Sequence, residues 1–206
     1  MHSPTRPKLL LATNNQGKLR EYRTLLASLP VDIITLQEAG VTTPVEETAT
    51  TIPDNAILKA TEYSRLTGSL TLADDSGLEV DALNGEPGVK SARYAGEHAS
   101  DIERNELLLK NMASVPEGKR QARFRCVIAI AGPGVPVQTA EGTCEGRIAR
   151  ESVGRTGFGY DPIFIVDGMS RHMAEMTMEE KNAISHRGKA AAKALRILER
   201  IVGAKG

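Results

Sequence analysis

The 206-residue chain carries 26 basic and 26 acidic residues, is 40% hydrophobic, and has 3% aromatic residues with no tryptophan. That length fits one compact domain, or one domain with two lobes, whose core closes without a disulfide or a structural metal. With the charge balanced, nothing points to a nucleic-acid or membrane surface, so an acidic ligand has to meet a local basic site.

Residues 8–12 form a short apolar run that ends in a polar motif, the mark of a buried strand. Leu9, Leu10 and Leu11 are too few for the apolar core of a signal peptide. Leu19, Tyr22, Leu25, Leu26 and Leu29 recur at helical spacing and predict an amphipathic helix over 16–29. A strand is expected at 32–36. A helix should follow Pro53, with Ile57, Leu58 and Ala60 among its apolar positions. Residues 70–73 read as a strand leading into Asp74-Asp75-Ser76-Gly77. Ser100 and Glu103 have capping-box spacing and open a helix through Leu107, Leu108 and Met112. Strands at 121–131 and 135–144 flank a hairpin at Gly132-Pro133-Gly134, and a further strand is expected at 163–166. Thr177 and Glu180 form a second capping box, and 189–202 predicts a C-terminal helix. Early alternation of strands and helices followed by an antiparallel section implies an α/β fold with a mixed sheet. Cys126 and Cys144 read as small buried side chains in a reducing compartment. The longest apolar stretch, 127–131, is a strand rather than a membrane span. A soluble cytoplasmic protein is expected.

Four polar motifs fall at strand ends or helix starts, where α/β folds place ligands. In Thr13-Asn14-Asn15-Gln16-Gly17-Lys18 the free N–H groups of a helix start, with the Lys18 charge, suit phosphate. The spacing is not that of a P-loop, and Leu19 stands where that loop has its magnesium-binding hydroxyl. A polar turn capped by Thr13 or Asn14 is the plainer alternative. Asp74-Asp75-Ser76-Gly77 offers two carboxylates beside a tight turn. These could bind a divalent cation or orient a water, with only one of the pair facing the site. A solvated Asp-Ser-Gly turn competes with that reading. Glu46-Glu47 is a weaker acidic pair. Gly157-Phe158-Gly159-Tyr160-Asp161-Pro162 offers an aromatic face between glycines, with an acid to read ring N–H groups. In Lys181-Asn182 and Ser185-His186-Arg187, Ser185 is a possible cap. His186 and Arg187 then sit in a first helical turn, against the dipole unless they serve a ligand or an acidic partner.

In this order, with Gly85-Glu86-Pro87-Gly88-Val89 and Ser91-Ala92-Arg93-Tyr94 between them, the motifs resemble the inosine triphosphatase family. These are the Ham1-like pyrophosphatases of non-canonical purine nucleotides, and the resemblance runs from about Lys8 to about Leu198. It implies a Ham1/Maf-type α/β fold across 1–206: one domain, two-lobed, with a long mixed sheet flanked by helices, a central cleft and a homodimeric assembly. It implies that Thr13, Asn15 and Lys18, in the segment with Asn14, Gln16 and Gly17, grip the triphosphate. Asp75 becomes a magnesium ligand and the general base, and Ser76 a substrate contact. Lys59 would face the nucleotide, and one of Glu46 and Glu47 would be the second magnesium ligand. Phe158, Gly159, Tyr160 and Asp161 would form the base-binding loop, with Lys181, His186 and Arg187 completing the purine pocket. The resemblance departs at Thr51-Ile52-Pro53-Asp54-Asn55, where the family carries an aromatic residue and a longer acid.

The implied chemistry is magnesium-dependent hydrolysis of inosine, deoxyinosine and xanthosine triphosphates to monophosphate and pyrophosphate. A donor such as Arg187 aimed at the 6-keto oxygen would reject adenine. Two alternatives stand beside this: a nucleotide sensor without turnover, and a pyrophosphatase for modified pyrimidine nucleotides.

Overall fold

The computed structural model describes residues 6–203. The expected domain span of 1–206 extends into 1–5 and 204–206, which lie outside the described residues. In chain order the main elements are β1 (Lys8–Leu11), α1 (Gln16–Leu25), β2 (Asp32–Thr35), α2 (Ile52–Thr67) and β3 (Leu70–Val80). They continue as α3 (Asp101–Asn111), β4 (Gln121–Gly132), β5 (Val135–Ile148), β6 (Phe164–Val166), α4 (Met178–Ile184) and α5 (His186–Gly203). The six strands make one mixed sheet in the order β2-β1-β3-β4-β5-β6. β1 runs parallel to both β2 and β3, and β5 antiparallel to β6, so the fold is the mixed α/β arrangement expected.

Local chemistry sets the element ends. α1 is capped by Asn15 rather than Thr13 or Asn14: its Oδ1 accepts the Lys18 N–H at 3.0 Å, satisfying one free donor of the first turn. The helix stops at Leu25, four residues short of the expected 29. Tighter turns then take over, with Ala27 N–H donating to Thr24 and Leu29 N–H to Leu26, just before Pro30, which has no N–H to continue a helix. α2 starts one residue before Pro53, on a Thr51 cap, and ends at Gly68 in the left-handed conformation with φ 64°. Both predicted capping boxes form, Ser100 with Glu103 and Thr177 with Glu180. α5 opens at His186, because Ser185 Oγ accepts the Gly188 N–H at 3.1 Å. Pro133 and Gly134, the latter at φ 70°, join β4 to β5, the residue pattern of a type II turn.

The largest difference concerns Asp74-Asp75-Ser76-Gly77, which is not a turn. β3 runs through it to Val80. Leu78 and Val80 are fully buried, and a Cβ on Gly77 would collide with the Gly88 carbonyl. Glycine is there for close packing. Residues 81–94 carry two short 3-10 stretches, Asp81–Leu83 and Gly88–Arg93, which no apolar periodicity announces.

The chain divides into two compact units. One comprises Met1–Asp75, Val127–Glu141 and Ala190–Gly206; the other, Ser76–Cys126 and Gly142–Lys189. The first buries Leu9, Leu10, Leu11, Leu72, Ile128, Ile130 and the apolar side of α5. The second is built on Leu78, Leu108, Met112, Phe124, Ile148, Tyr160, Ile163, Phe164 and Met173. Within it the buried Arg120 donates to the carbonyls of Met112, Val115, Ile148 and Ala149, tying the end of α3 to the end of β5. Both cysteines are buried, and neither is in a disulfide. Among the described residues, no helix is long and apolar enough to cross a membrane.

Candidate active site

In the first unit, β1 delivers the chain to the start of α1, and Lys18 in its first turn reaches Asp74 Oδ2 at 2.9 Å. From α2, Lys59 Nζ lies 2.6 Å from Glu47 Oε1 and 3.7 Å from Asp75 Oδ1. The loop bearing Glu47 is anchored on α2 as well. Tyr63 Oη accepts the Val45 N–H at 2.9 Å, and Asn55 bonds both the N–H and the carbonyl of Ala49. Glu46 points to solvent, and Glu47 is the member of the pair that meets Lys59. The departing segment is occupied locally: Ile52 is buried, and Asp54 accepts from the Thr51 hydroxyl at 2.5 Å at the start of α2.

The pleat of β3 sends its consecutive carboxylates to lysines on different helices, Asp74 to α1 and Asp75 to α2. Both acids therefore face cations, although only one was expected to face the site. The pairing of Asp74 with Lys18 is one that spacing alone did not reveal.

Two lysines here face three carboxylates. A triphosphate entering that set meets a net negative charge unless a cation comes with it. Asp75 Oδ2 is buried and has no hydrogen-bond partner, the condition of an oxygen prepared for a cation or a water. Burial pushes the Asp75 carboxyl above its ordinary value, against the pull of Lys59 and Lys18. For Lys59, burial works against the charge, but Asp75, Asp74 and Glu47 together hold it above the ordinary lysine value. Among the described residues, no group of three or more His, Cys, Asp or Glu side chains is arranged to hold a metal unaided. Two carboxylates nevertheless suit magnesium, which is commonly held by one or two acids plus the substrate.

In the second unit, Arg187 Nη2 donates to Ser76 Oγ at 3.1 Å. Phe158 is the ring on which two cations converge: Lys181 Nζ lies 4.6 Å and Arg187 Cζ 5.4 Å from its centroid. Asp161 Oδ2 accepts from the Phe158 N–H at 2.9 Å and from Lys181 at 2.6 Å. The acid expected to read a base thus braces its own loop. A Cβ on Gly157 would strike that same carboxylate, which explains the glycine. Tyr160 turns inward, its hydroxyl donating to the Ser91 carbonyl at 2.9 Å. His186 stacks on Phe124, with centroids 4.7 Å apart and planes 14° from parallel. Phe124 in turn meets Phe164 at 4.6 Å. All three phenylalanines of the chain therefore serve this region, and Phe124, in β4, carried no motif to mark it.

A family model described as the Ham1 family matches residues 9–197. A dITP/XTP pyrophosphatase of Desulforamulus reducens is 54% identical over 194 residues, covering 94% of this chain and 96% of that protein. A HAM1 protein structure from Coxiella burnetii superposes with a TM-score of 0.85 at 43% identity, covering 94% of this chain and 99% of that one. The Ham1 protein structure from Staphylococcus aureus gives 0.84 at 41% identity, with 93% and 98% covered.

Proposed function

The chain belongs to the Ham1 family, and on that premise we propose that it hydrolyses inosine, deoxyinosine and xanthosine triphosphates to monophosphate and pyrophosphate with magnesium. The substrate class follows the name of the Desulforamulus reducens relative. The observation that carries the reaction is Asp75, a buried carboxylate with one oxygen unpartnered, beside the ammonium that also meets Glu47.

Lys18 and Lys59 are the cations for the phosphates, with Thr13 and the N–H groups opening α1 adding hydrogen bonds. Glu47 and Asp75 would hold magnesium, which when bound supplies positive charge against the triphosphate. Asp75 takes a proton from a water as the water oxygen bonds to the α-phosphorus. The bond from that phosphorus to the bridging oxygen breaks, and pyrophosphate leaves.

The Phe158 loop, Lys181, His186 and Arg187 receive the purine. Arg187 is 2% exposed and carries donors only, so a 6-keto oxygen is accepted and adenine's amino group is left facing a donor. An unpaired buried polar group costs about 1–3 kcal/mol, or tenfold or more in discrimination. Hydrolysis in isotopically labelled water tests the point of attack. Label in the monophosphate supports the proposal, and label in the pyrophosphate rejects attack at the α-phosphorus.

A further inference from the structure

We infer that Asp101 and Asn105, on the first two turns of α3, are positioning residues that hold the base-binding loop by both backbone polar groups of Gly159. Asp101 Oδ2 accepts the Gly159 N–H at 2.6 Å, and Asn105 Nδ2 donates to the Gly159 carbonyl at 3.1 Å. These contacts bridge 58 and 54 residues of chain, so they are a product of the fold and not of a local turn.

Gly159 sits at φ 64° with nothing near its absent Cβ. Sterics do not fix it, and a glycine left to itself is the freest residue in a chain. The two side chains remove that freedom. Asn105 is 5% exposed and its Oδ1 has no hydrogen-bond partner. A buried amide with an unsatisfied oxygen is destabilising where an apolar side chain would pack instead, and its bond to Gly159 is what the amide provides. Asp101 is itself braced by Arg104, which also donates to the carbonyls of Ala99 and Ala92. Phe158 immediately precedes the clamped residue, so slack at Gly159 becomes slack in the ring on which Lys181 and Arg187 converge. The clamp governs base affinity and selectivity and leaves the phosphate chemistry alone.

This inference rests on the reading that the 157–161 loop and Arg187 receive the purine. The test uses Asp101→Ala, Asn105→Ala and the conservative Asp101→Asn, which keeps an acceptor for the Gly159 N–H. Four quantities are measured: kcat and KM for inosine and adenosine triphosphates, binding of inosine monophosphate by calorimetry, inhibition by tripolyphosphate, and melting temperature. Each alanine variant is expected to raise KM for inosine triphosphate about tenfold, the worth of one such hydrogen bond, with kcat within about twofold. Inosine monophosphate should bind correspondingly more weakly, tripolyphosphate should inhibit as before, and Asp101→Asn should recover most of the loss. Because both side chains act through Gly159, the double alanine variant should lose less than the product of the two single losses.

Unchanged KM and selectivity in the variants would overturn the inference while leaving the function intact. So would a fall in kcat and melting temperature with the inosine-to-adenosine ratio unmoved. A wild-type protein that fails to discriminate the two triphosphates would instead reject the reading of the loop itself. If Asp101→Ala does not fold, having freed Arg104, Asn105→Ala decides alone, since it leaves that arginine in place.

Discussion

Replacing Lys59 with methionine removes the ammonium that lies between Glu47 and Asp75 while keeping the apolar stem. The lysine and aspartate side chains are 10% and 9% exposed, and that of Glu47 is 28% exposed. Breaking a buried ion pair from one side costs about 3–5 kcal/mol. The partial exposure of Glu47 lowers this to roughly 2–4 kcal/mol. For a chain of this size that corresponds to a fall in Tm of roughly 5–15 °C, measured by calorimetry in metal-free buffer. Lys59 has its folded pKa raised above its unfolded one. Its contribution is therefore complete below the ordinary lysine pKa and is lost only as pH climbs through the raised value, so the deficit should persist across neutral pH. Saturating magnesium without nucleotide should then restore the variant more than it helps the wild type, because the variant's carboxylates have lost their cation. At a hundredfold excess over Kd the gain is about 2.7 kcal/mol. A Tm within about 2 °C of wild type in metal-free buffer, or equal magnesium gains in both proteins, would refute this account of the charge balance.

Asp75→Asn should stay folded and lose turnover by about a hundredfold or more. Because burial raises the Asp75 pKa in the folded protein, any stabilising contribution is fully present only below its unfolded pKa and is lost as pH rises through the folded one. At neutral pH the ionised group opposes folding, and the neutral amide escapes that cost. The acid limb of the kcat/KM profile in the wild type should be lost in the variant, and a profile unchanged in the variant would remove Asp75 from catalysis. Phe124→Leu takes away the ring behind His186 and should raise KM for inosine triphosphate several-fold, the equivalent of about 1 kcal/mol of stacking; an unaltered KM would show that the stack is packing only. Gly77→Ala drives a Cβ into the Gly88 carbonyl and should cost about 3 kcal/mol or more, read as a Tm drop of roughly 10 °C. Wild-type melting would mean that the 88 loop yields freely.

What the sequence reveals, and what it hides, follows from how local each determinant is. The helices of residues 16–25 and 186–203 and both capping boxes are legible because their signals, apolar spacing and a Ser or Thr three residues before Glu, lie within a few residues. The same locality misled at Asp74-Asp75-Ser76-Gly77. Asp, Ser and Gly favour turns, yet the packing of Leu78 and Val80 and the approach of Gly88 keep that segment in a strand. The polar motifs named most of the candidate residues, but their partners lie far away in sequence. Asp74 meets Lys18, Glu47 is distinguished from Glu46 by its meeting with Lys59, and Phe124 backs His186. Tyr160 and Asp161, read as ligand contacts, also make contacts that brace the loop that holds Phe158. No periodicity encodes such pairings. They arise only when the sheet orders its strands.

The most direct test of the proposed activity is to offer the purified protein inosine, xanthosine, guanosine and adenosine triphosphates with magnesium, assaying pyrophosphate and orthophosphate separately. Release of pyrophosphate from the inosine and xanthosine nucleotides, with little from the other two, is the predicted result. Orthophosphate release, no turnover, or equal use of all four would contradict it.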